Sequence, residues 1–346
     1  MTTIVDLPTE EERAAAAGVL RMIWGLHVSR AIYATAALGI ADRLADGPVS
    51  CAELARQAGA DEAALYRVLR LLAALGVFTE VSPRSFGLTI LGSRLRTDSP
   101  ASMRSWALIH GSFGGCQPHE HFLHTVRTGE PGFVTAHGMP LFEYLAQHPG
   151  DAAVFDAAMA ERTAAFAPSV AVGYDFSGIR TVVDVGGGRG ILLAAILRAH
   201  PHLQGTLLEL PAVAAAAGPV LATAGVLDRC EVVGGDFFQG VPAGADCYVL
   251  ANVLHDWDDA TAVRILAACR AAAARGGRVL IAERLIPGDP AQAVPALLSD
   301  INMLVLSGGR ERTNEEYRQL LRAAGLRPGT IRPVTFPYGI IEGLAP

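Results

Sequence analysis

Three side chains in the last third of the sequence are of the types that move a proton. His255 stands in the run DCYVLANVLHDWDD, positions 246–259, where an apolar strand gives way to polar residues. Downstream, Glu283 closes the run RVLIAE and Glu311 lies within GGRERT. A carboxylate bound to one imidazole nitrogen fixes the tautomer and leaves the other nitrogen as a base. That is the arrangement needed to take a proton from a hydroxyl. Either glutamate suits the orienting role, and the sequence leaves the choice open. A lone histidine is more often structural, but a place at a strand end on the ligand side of a sheet favours chemistry.

A second group of residues is suited to holding a ligand. The run VVDVGGGRGILLAAIL, positions 182–197, reads as a buried strand, a tight glycine turn and a helix. Gly186 and Gly188 permit positive φ and let a ligand approach the backbone. The helix start offers free N–H groups and the positive end of its dipole. A dinucleotide fingerprint, G-x-G-x-x-G, requires glycine at 191, where this chain has Ile191. The turn therefore suits a ligand held by amino-acid and nucleoside parts without a pyrophosphate. S-adenosylmethionine is such a ligand. Glu209 ends the next strand, where an acid accepts both ribose hydroxyls. Asp236, in GGDFF at a third strand end, is placed to accept an adenine amino group, and Phe237 to cover a ring face.

These residues need a frame. From position 166 strands and helices alternate, the pattern of an α/β doubly wound parallel sheet, whose ligands sit at the carboxyl ends of the strands. Residues 10–45 read as helices, with Glu10, Glu11 and Glu12 in a favourable first turn. Val19, Leu20, Ile23, Trp24 and Leu26 give them an apolar face too broad to leave in water, so a second copy of the chain is expected there. Residues 38–92 look like a winged helix: Ser50 to Glu53 spell a capping box, Gly59 ends that helix, Asp61 caps the next, and two wing strands flank Ser82-Pro83-Arg84. The would-be recognition helix opens Asp-Glu and exposes only Arg67 and Arg70, which repels phosphate at its leading end. A structural, dimer-supporting role is expected in place of DNA binding. Residues 100–165 read as helices rich in aromatic residues and methionine, suited to a core or to an aromatic substrate's pocket. The expected domains are 1–95 (winged-helix dimerisation), 96–165 (helical linker and substrate-pocket segment) and 166–346 (catalytic).

Composition narrows the chemistry. The 346 residues carry a net charge of −6, which argues against a polyanion-binding surface. There is no lysine, which excludes a Schiff base to pyridoxal phosphate and a P-loop ATPase. Five cysteines form no C-x-x-C pair, as expected of reduced thiols in a cytoplasmic setting. No basic-then-apolar signal opens the chain, and the apolar run 18–41 is broken by Arg21, His27 and Arg30, so no membrane association is expected. His119, Glu120, His121 and His124 invite a metal reading, but H-E-x-x-H would need histidine at 123, which is Leu123. No metal is expected.

Taken together, VVDVGGGRG (182–190), LLELP (207–211), GGDFF (234–238), NVLHDWDD (252–259), IAERLIP (281–287) and SDINMLVLSGGRERT (299–313) resemble the S-adenosylmethionine-dependent small-molecule O-methyltransferases. These are the caffeic-acid type of plants and their bacterial relatives in antibiotic pathways. HGMPLFEYLAQHP (137–149) is similar to the family's mid-chain helices. The resemblance implies cofactor contacts from Gly186, Glu209, Asp236 and Phe237, a His255 base flanked by Glu283 and Glu311, S-adenosylhomocysteine as product, and a domain-swapped homodimer. It also suggests, loosely, an acceptor pocket lined by Trp106, His110, Met159, Asn302 and Met303. Two departures stand out. The ribose acid is Glu209 where many relatives have Asp. Four residues before His255, where plant enzymes often carry lysine, this chain has Ala251, so that contact is missing or moves to Asn252.

The expected reaction moves a methyl to a phenolic or enolic hydroxyl of a small aromatic or polyketide-like metabolite. A phenol has a pKa near 10 and histidine near 6.5, so full deprotonation beforehand costs roughly 5 kcal/mol. Proton removal concerted with transfer avoids most of that, and a positioned base contributes about 10²–10⁴-fold. Two other classes remain open on these residues: a nicotinamide-dependent oxidoreductase and a winged-helix regulator that senses a metabolite.

Overall fold

A computed structural model describes residues 9–100 and 102–346. Residues 1–8, the start of the expected first domain, lie outside the described residues. By compactness the chain divides once, into a unit ending at Ser112 and a unit running from Phe113 to Pro346. The expected segment 96–165 is thus shared: the helix Arg104–Gly111 belongs to the first unit, and the helices from Cys116 onward belong to the second.

In the first unit, the helix Glu10–Ile23 starts where its acids predict. Thr9 accepts from the Glu12 N–H and the Glu12 carboxylate accepts from the Thr9 N–H, a complete capping box. That helix buries none of its residues. Met22 is 81 % exposed and Ile23 64 %, with Val19, Leu20, Trp24 and Leu26 also in solvent. The expected box at Ser50 forms only by half. Ser50 accepts from Glu53 N–H, but the Glu53 carboxylate turns to Arg56 and Gln57 instead. Gly59 closes the helix Cys51–Ala58 at φ 63°, and Asp61 caps the helix Glu62–Ala74. Strands β1 (Val49–Ser50), β2 (Phe78–Ser82) and β3 (Ser85–Leu88) form an antiparallel sheet in the order β1-β3-β2. β2 and β3 fall on the two expected wing runs, and Arg84 adopts φ 61° in the turn between them.

The second unit is built on β4 (Thr181–Val185), β5 (Gln204–Glu209), β6 (Cys230–Gly234), β7 (Cys247–Ala251), β8 (Arg278–Arg284), β9 (Arg327–Pro333) and β10 (Tyr338–Leu344). The order across the sheet is β6-β5-β4-β7-β8-β10-β9. The first five strands pair in parallel, as expected. The last two correct the fully parallel reading, since β10 runs antiparallel to β8 and β9 antiparallel to β10. Leu192, Leu193, Ile196 and Leu197 pack on one face and Ile265, Leu266, Leu320 and Leu321 on the other. Each such side chain contributes roughly 1.5–3 kcal/mol by leaving water. Strand order reverses between β4 and β7, so a crevice opens at their carboxyl ends. The glycine turn follows β4 and the His255 segment follows β7, one on each side of that crevice. Among the described residues, no helix is long and apolar enough to cross a membrane.

Candidate active site

The turn after β4 has the conformation its glycines predict, with φ of 68°, 59° and 78° at Gly186, Gly188 and Gly190. A side chain at Gly188 would meet open space, whereas one at Gly187 would stand 2.5 Å from the Asp184 carboxylate and from Leu207. Gly188 is therefore the open face of the turn, and Gly187, which the sequence reading did not single out, is its packed face. Asp184 is fully buried below, and burial, with the Glu209 charge adding to it, pushes its carboxyl up to about 7. Glu209 reaches back to the turn. One of its oxygens accepts from Gly188 N–H at 2.8 Å and the other from Leu210 N–H at 2.7 Å. Phe237 lies beside Gly186, with Cε1 3.6 Å from the position a β-carbon would take. Asp236 accepts from Phe238 N–H at 2.8 Å, which fixes its carboxylate next to that ring.

Asn252 completes the rim of the crevice. It is buried, sits at φ 52°, and neither its amide oxygen nor its amide nitrogen finds a hydrogen-bond partner among the described residues. A strained, unpaired buried amide costs several kcal/mol together, of order 1–3 for each effect, and such groups concentrate where a ligand satisfies them. The open glycine, the carboxylate of Glu209, the uncapped start of the helix Ile191–Ala199 and this amide fit a donor that carries amino-acid, ribose and adenine parts.

His255 lies in the helical turn Leu254–Asp256, only 1 % exposed. Its Nδ1 is 3.0 Å from Glu311 Oε1 and 3.8 Å from Glu283 Oε2, while its Nε2 is 3.7 Å from Asp256 Oδ1. The two glutamates do different things. Glu283 Oε1 accepts from the N–H groups of Val253 and Leu254 at 3.0 and 2.9 Å, so it holds the backbone that leads into the histidine. Glu311 Oε1 also accepts from the Ser299 hydroxyl at 2.7 Å, and the Arg284 guanidinium stands 4.0 Å away. Burial alone would raise Glu311, but His255, Ser299 and Arg284 outweigh it and hold its pKa below the ordinary 4.5. Burial pushes Glu283 up to about 7. For His255, burial acts downward and the carboxylates of Glu283, Asp256 and Glu311 outweigh it, so its pKa lies above the ordinary 6.5. Glu311 is thus placed to accept from Nδ1–H, and in the neutral ring that bond leaves the lone pair on Nε2.

Residues 119–327 match the O-methyltransferase domain, and residues 20–98 match the O-methyltransferase dimerisation domain. The chain belongs to the O-methyltransferase family. The methyltransferase is 44 % identical to the phenazine O-methyltransferase PhzM of Lysobacter antibioticus over 338 residues, 96 % of this chain and 98 % of that protein. It is similar in structure to NcsB1, an O-methyltransferase from neocarzinostatin biosynthesis solved with S-adenosylmethionine and 2-hydroxy-5-methyl naphthoic acid. The TM-score is 0.80 at 38 % identity, over 92 % of this chain and 96 % of that one. The aclacinomycin 10-hydroxylase RdmB of Streptomyces purpurascens is 37 % identical over 335 residues, 94 % of this chain and 89 % of that protein. The methyltransferase thus acts on secondary metabolites with S-adenosylmethionine as donor. The nicotinamide oxidoreductase and the metabolite-sensing regulator have no support from these matches.

Of the residues expected to line the methyltransferase's acceptor pocket, Asn302 and Met303 are buried on the helix Pro290–Leu306 that also carries Ser299, and Asn302 Oδ1 lacks a hydrogen-bond partner among the described residues. Met159 lies on the helix Pro149–Gly173, three residues before Arg162, whose charge favours the ionised forms of Asp256 and Glu283. Trp106 and His110 belong to the first unit, where they pack edge-on at 4.9 Å. Sequence reasoning missed Ser299, Asp256 and Trp257, although all three lie inside motifs it quoted. Trp257 stands edge-on to Phe237 at 6.4 Å and stacks with Phe142 at 6.1 Å, an aromatic wall beside the histidine turn. His119 and His124 make only local contacts, to Gly115 O and to Glu130. Among the described residues, one group could bring three metal-ligating atoms together, and it is His255, Glu283 and Glu311.

Proposed function

We propose that the enzyme methylates a phenolic or enolic hydroxyl of a small aromatic or polyketide-like metabolite, with His255 as general base and without a metal. The observation that carries this reading is the 3.0 Å contact from His255 Nδ1 to Glu311, inside a fully buried pair. It engages Nδ1–H, leaves Nε2 as the acceptor, and places a negative charge where imidazolium will form. The bound donor supplies an electrophilic methyl on a sulfonium. Gly186, Gly188, Glu209, Asp236, Phe237 and Asn252 would hold that donor, and positioning of the two reactants supplies several kcal/mol, up to about 7–11 in the best cases. The carboxylates that raise the histidine's pKa narrow its gap to a phenol and so favour proton transfer. Metal independence rests on the same bond: while Nδ1–H donates to Glu311, the ring offers no lone pair on the side where the two glutamates converge.

The acceptor chemistry of the relatives, a phenazine and a naphthoic acid, supports an aromatic hydroxyl as the target. The apolar helix Glu10–Ile23, which buries nothing within its own unit, supports a homodimer through the N-terminal unit. No nucleic acid or membrane partner is proposed, and the five unpaired cysteines support a cytoplasmic setting. The similarity to a hydroxylase favours one second reading, in which a related site inserts oxygen. Mass spectrometry of a hydroxyaromatic panel incubated with methyl-labelled donor separates them: gain of the labelled methyl supports transfer, and gain of oxygen without label overturns it. Full turnover by His255→Ala at saturating donor removes the base role, and loss of activity in chelator removes metal independence.

A further inference from the structure

Arg312, next to Glu311 in the GGRERT run, has the bulkiest of the fully buried side chains among the described residues, at 0 % exposure. Its Nη1 donates to Leu254 O at 3.0 Å and its Nη2 to Trp257 O at 2.8 Å, so one guanidinium holds the carbonyls on either side of His255. Nε and Nη2 also donate to Asp259 Oδ1, at 2.9 and 2.7 Å. Its backbone ties a third segment: Arg312 O accepts from Ile286 N–H at 3.1 Å, and Arg312 bridges to Leu285, two residues beyond Glu283. Glu311 is its immediate neighbour. The adjoining residues work to the same end. Arg310 N–H donates to His255 O at 2.8 Å, and a β-carbon at Gly309 would stand 2.0 Å from that carbonyl oxygen. One residue therefore meets all three chain segments that deliver His255, Glu283 and Glu311.

A buried cation facing one carboxylate that is 57 % exposed is a poor route to stability, and an apolar side chain of similar volume would pack as well. The planar fork offers something packing does not. Its donors, in fixed directions, make four bonds to two carbonyls and a carboxylate at once, one more than the three donors of an ammonium allow.

We infer that Arg312 is a positioning residue for the methyl-transfer reaction: it clamps the Leu254–Trp257 turn so that His255 Nδ1 meets Glu311 and Nε2 faces the acceptor. This rests on His255 being the base. The test uses the full-length enzyme and its Arg312→Lys and Arg312→Met variants. Binding of S-adenosylhomocysteine is measured by calorimetry, kcat and KM are measured against pH on a phenol the enzyme accepts, and the His255 tautomer is read from long-range proton–nitrogen NMR of histidine-labelled protein. The His255 signal is assigned by its loss in His255→Ala. We expect homocysteine-product affinity within about twofold of wild type, kcat lowered about 10- to 100-fold, and the His255 signal shifted from a single Nδ1–H tautomer towards a mixture. An unchanged tautomer overturns the inference, whether kcat is kept or falls together with thermal stability. Should Arg312→Met fail to fold, Arg312→Lys and Asp259→Asn carry the same readout. If His255→Ala keeps turnover, the base reading falls, while the tautomer still reports whether Arg312 sets the ring.

Discussion

Glu311→Gln removes a buried charge while keeping an amide oxygen able to accept from His255 Nδ1–H. The wild-type contact is 3.0 Å, which puts the charge centres of carboxylate and imidazolium ~4 Å apart, and at an effective dielectric of ~20 that interaction is about 4 kcal/mol. Glu283 at 3.8 Å and Asp256 at 3.7 Å stay in place and offset part of the loss. We expect the remainder to lower the pKa of the imidazole. The wild-type ring has a pKa raised above 6.5, so the base form, and activity with it, is lost as pH falls through that raised value. Lowering the pKa moves the acidic limb of kcat to lower pH. The plateau falls about 100-fold, because the forming imidazolium has lost its counter-charge. Glu283→Gln is the comparison. Its carboxyl is raised to about 7 and holds two backbone N–H groups, so it carries a proton much of the time near neutrality. Its limb shift is expected to be less than half as large. The assay is kcat against pH at saturating donor. An unmoved limb in Glu311→Gln, or an equal shift in both variants, refutes the assignment of Glu311 as the charged partner.

Three further outcomes follow from the same geometry. Gly187→Ala would force a β-carbon to within 2.5 Å of Asp184 and Leu207; overpacking of about 1–3 kcal/mol falls on the donor turn, and calorimetry is expected to show S-adenosylhomocysteine bound at least about tenfold more weakly. Asp184→Asn addresses stability. A carboxyl raised from 3.8 to about 7 in the folded state makes the protein less stable as pH rises through that interval, so the variant is expected to melt higher than wild type above pH 7. The difference is up to about 4 kcal/mol, and it vanishes below pH 3.8; equal melts across pH would show that the carboxyl is not perturbed. Leu20→Ser with Trp24→Ser removes the centre of the exposed apolar face of the first helices, and sedimentation is expected to move from dimer to monomer.

What could be read from the residues follows how local the information is. A strand buried on both faces is written as an unbroken apolar run, and positive φ is written as glycine. The β4 turn and the strand-end acids Glu209 and Asp236 were therefore visible in their own neighbourhoods. Caps are local too, but they compete. The Ser50 box lost half its bonds because Arg56 lies one turn from Glu53 and offers a charged donor that a backbone N–H cannot match. The antiparallel β9 and β10 were not legible, since the direction in which a strand joins a sheet depends on partners distant in the chain.

The choice between Glu283 and Glu311 was closed to sequence for the same reason, and in the proposed site it turns on packing. β10 pairs with β8 so that Gly339 lies opposite Glu283 and Tyr338 opposite Arg284. Glu283 is thereby held one residue before the end of β8, and its Oε1 accepts from the amides of Val253 and Leu254. Glu311 comes from a segment held by Asp300, which accepts its N–H at 2.8 Å, and by the Ser299 hydroxyl at 2.7 Å. That segment advances the carboxylate by less than an ångström relative to its rival, 3.0 against 3.8 Å at Nδ1. Burial then amplifies the difference. One acid keeps its charge because His255, Ser299 and Arg284 outweigh its burial, and the other is pushed towards neutrality by burial, although Oε2 of each lacks a hydrogen-bond partner among the described residues. Two residues of one type thus acquire separate duties, one setting the backbone and one setting the ring. The division comes from packing at a scale that residue identity alone does not encode.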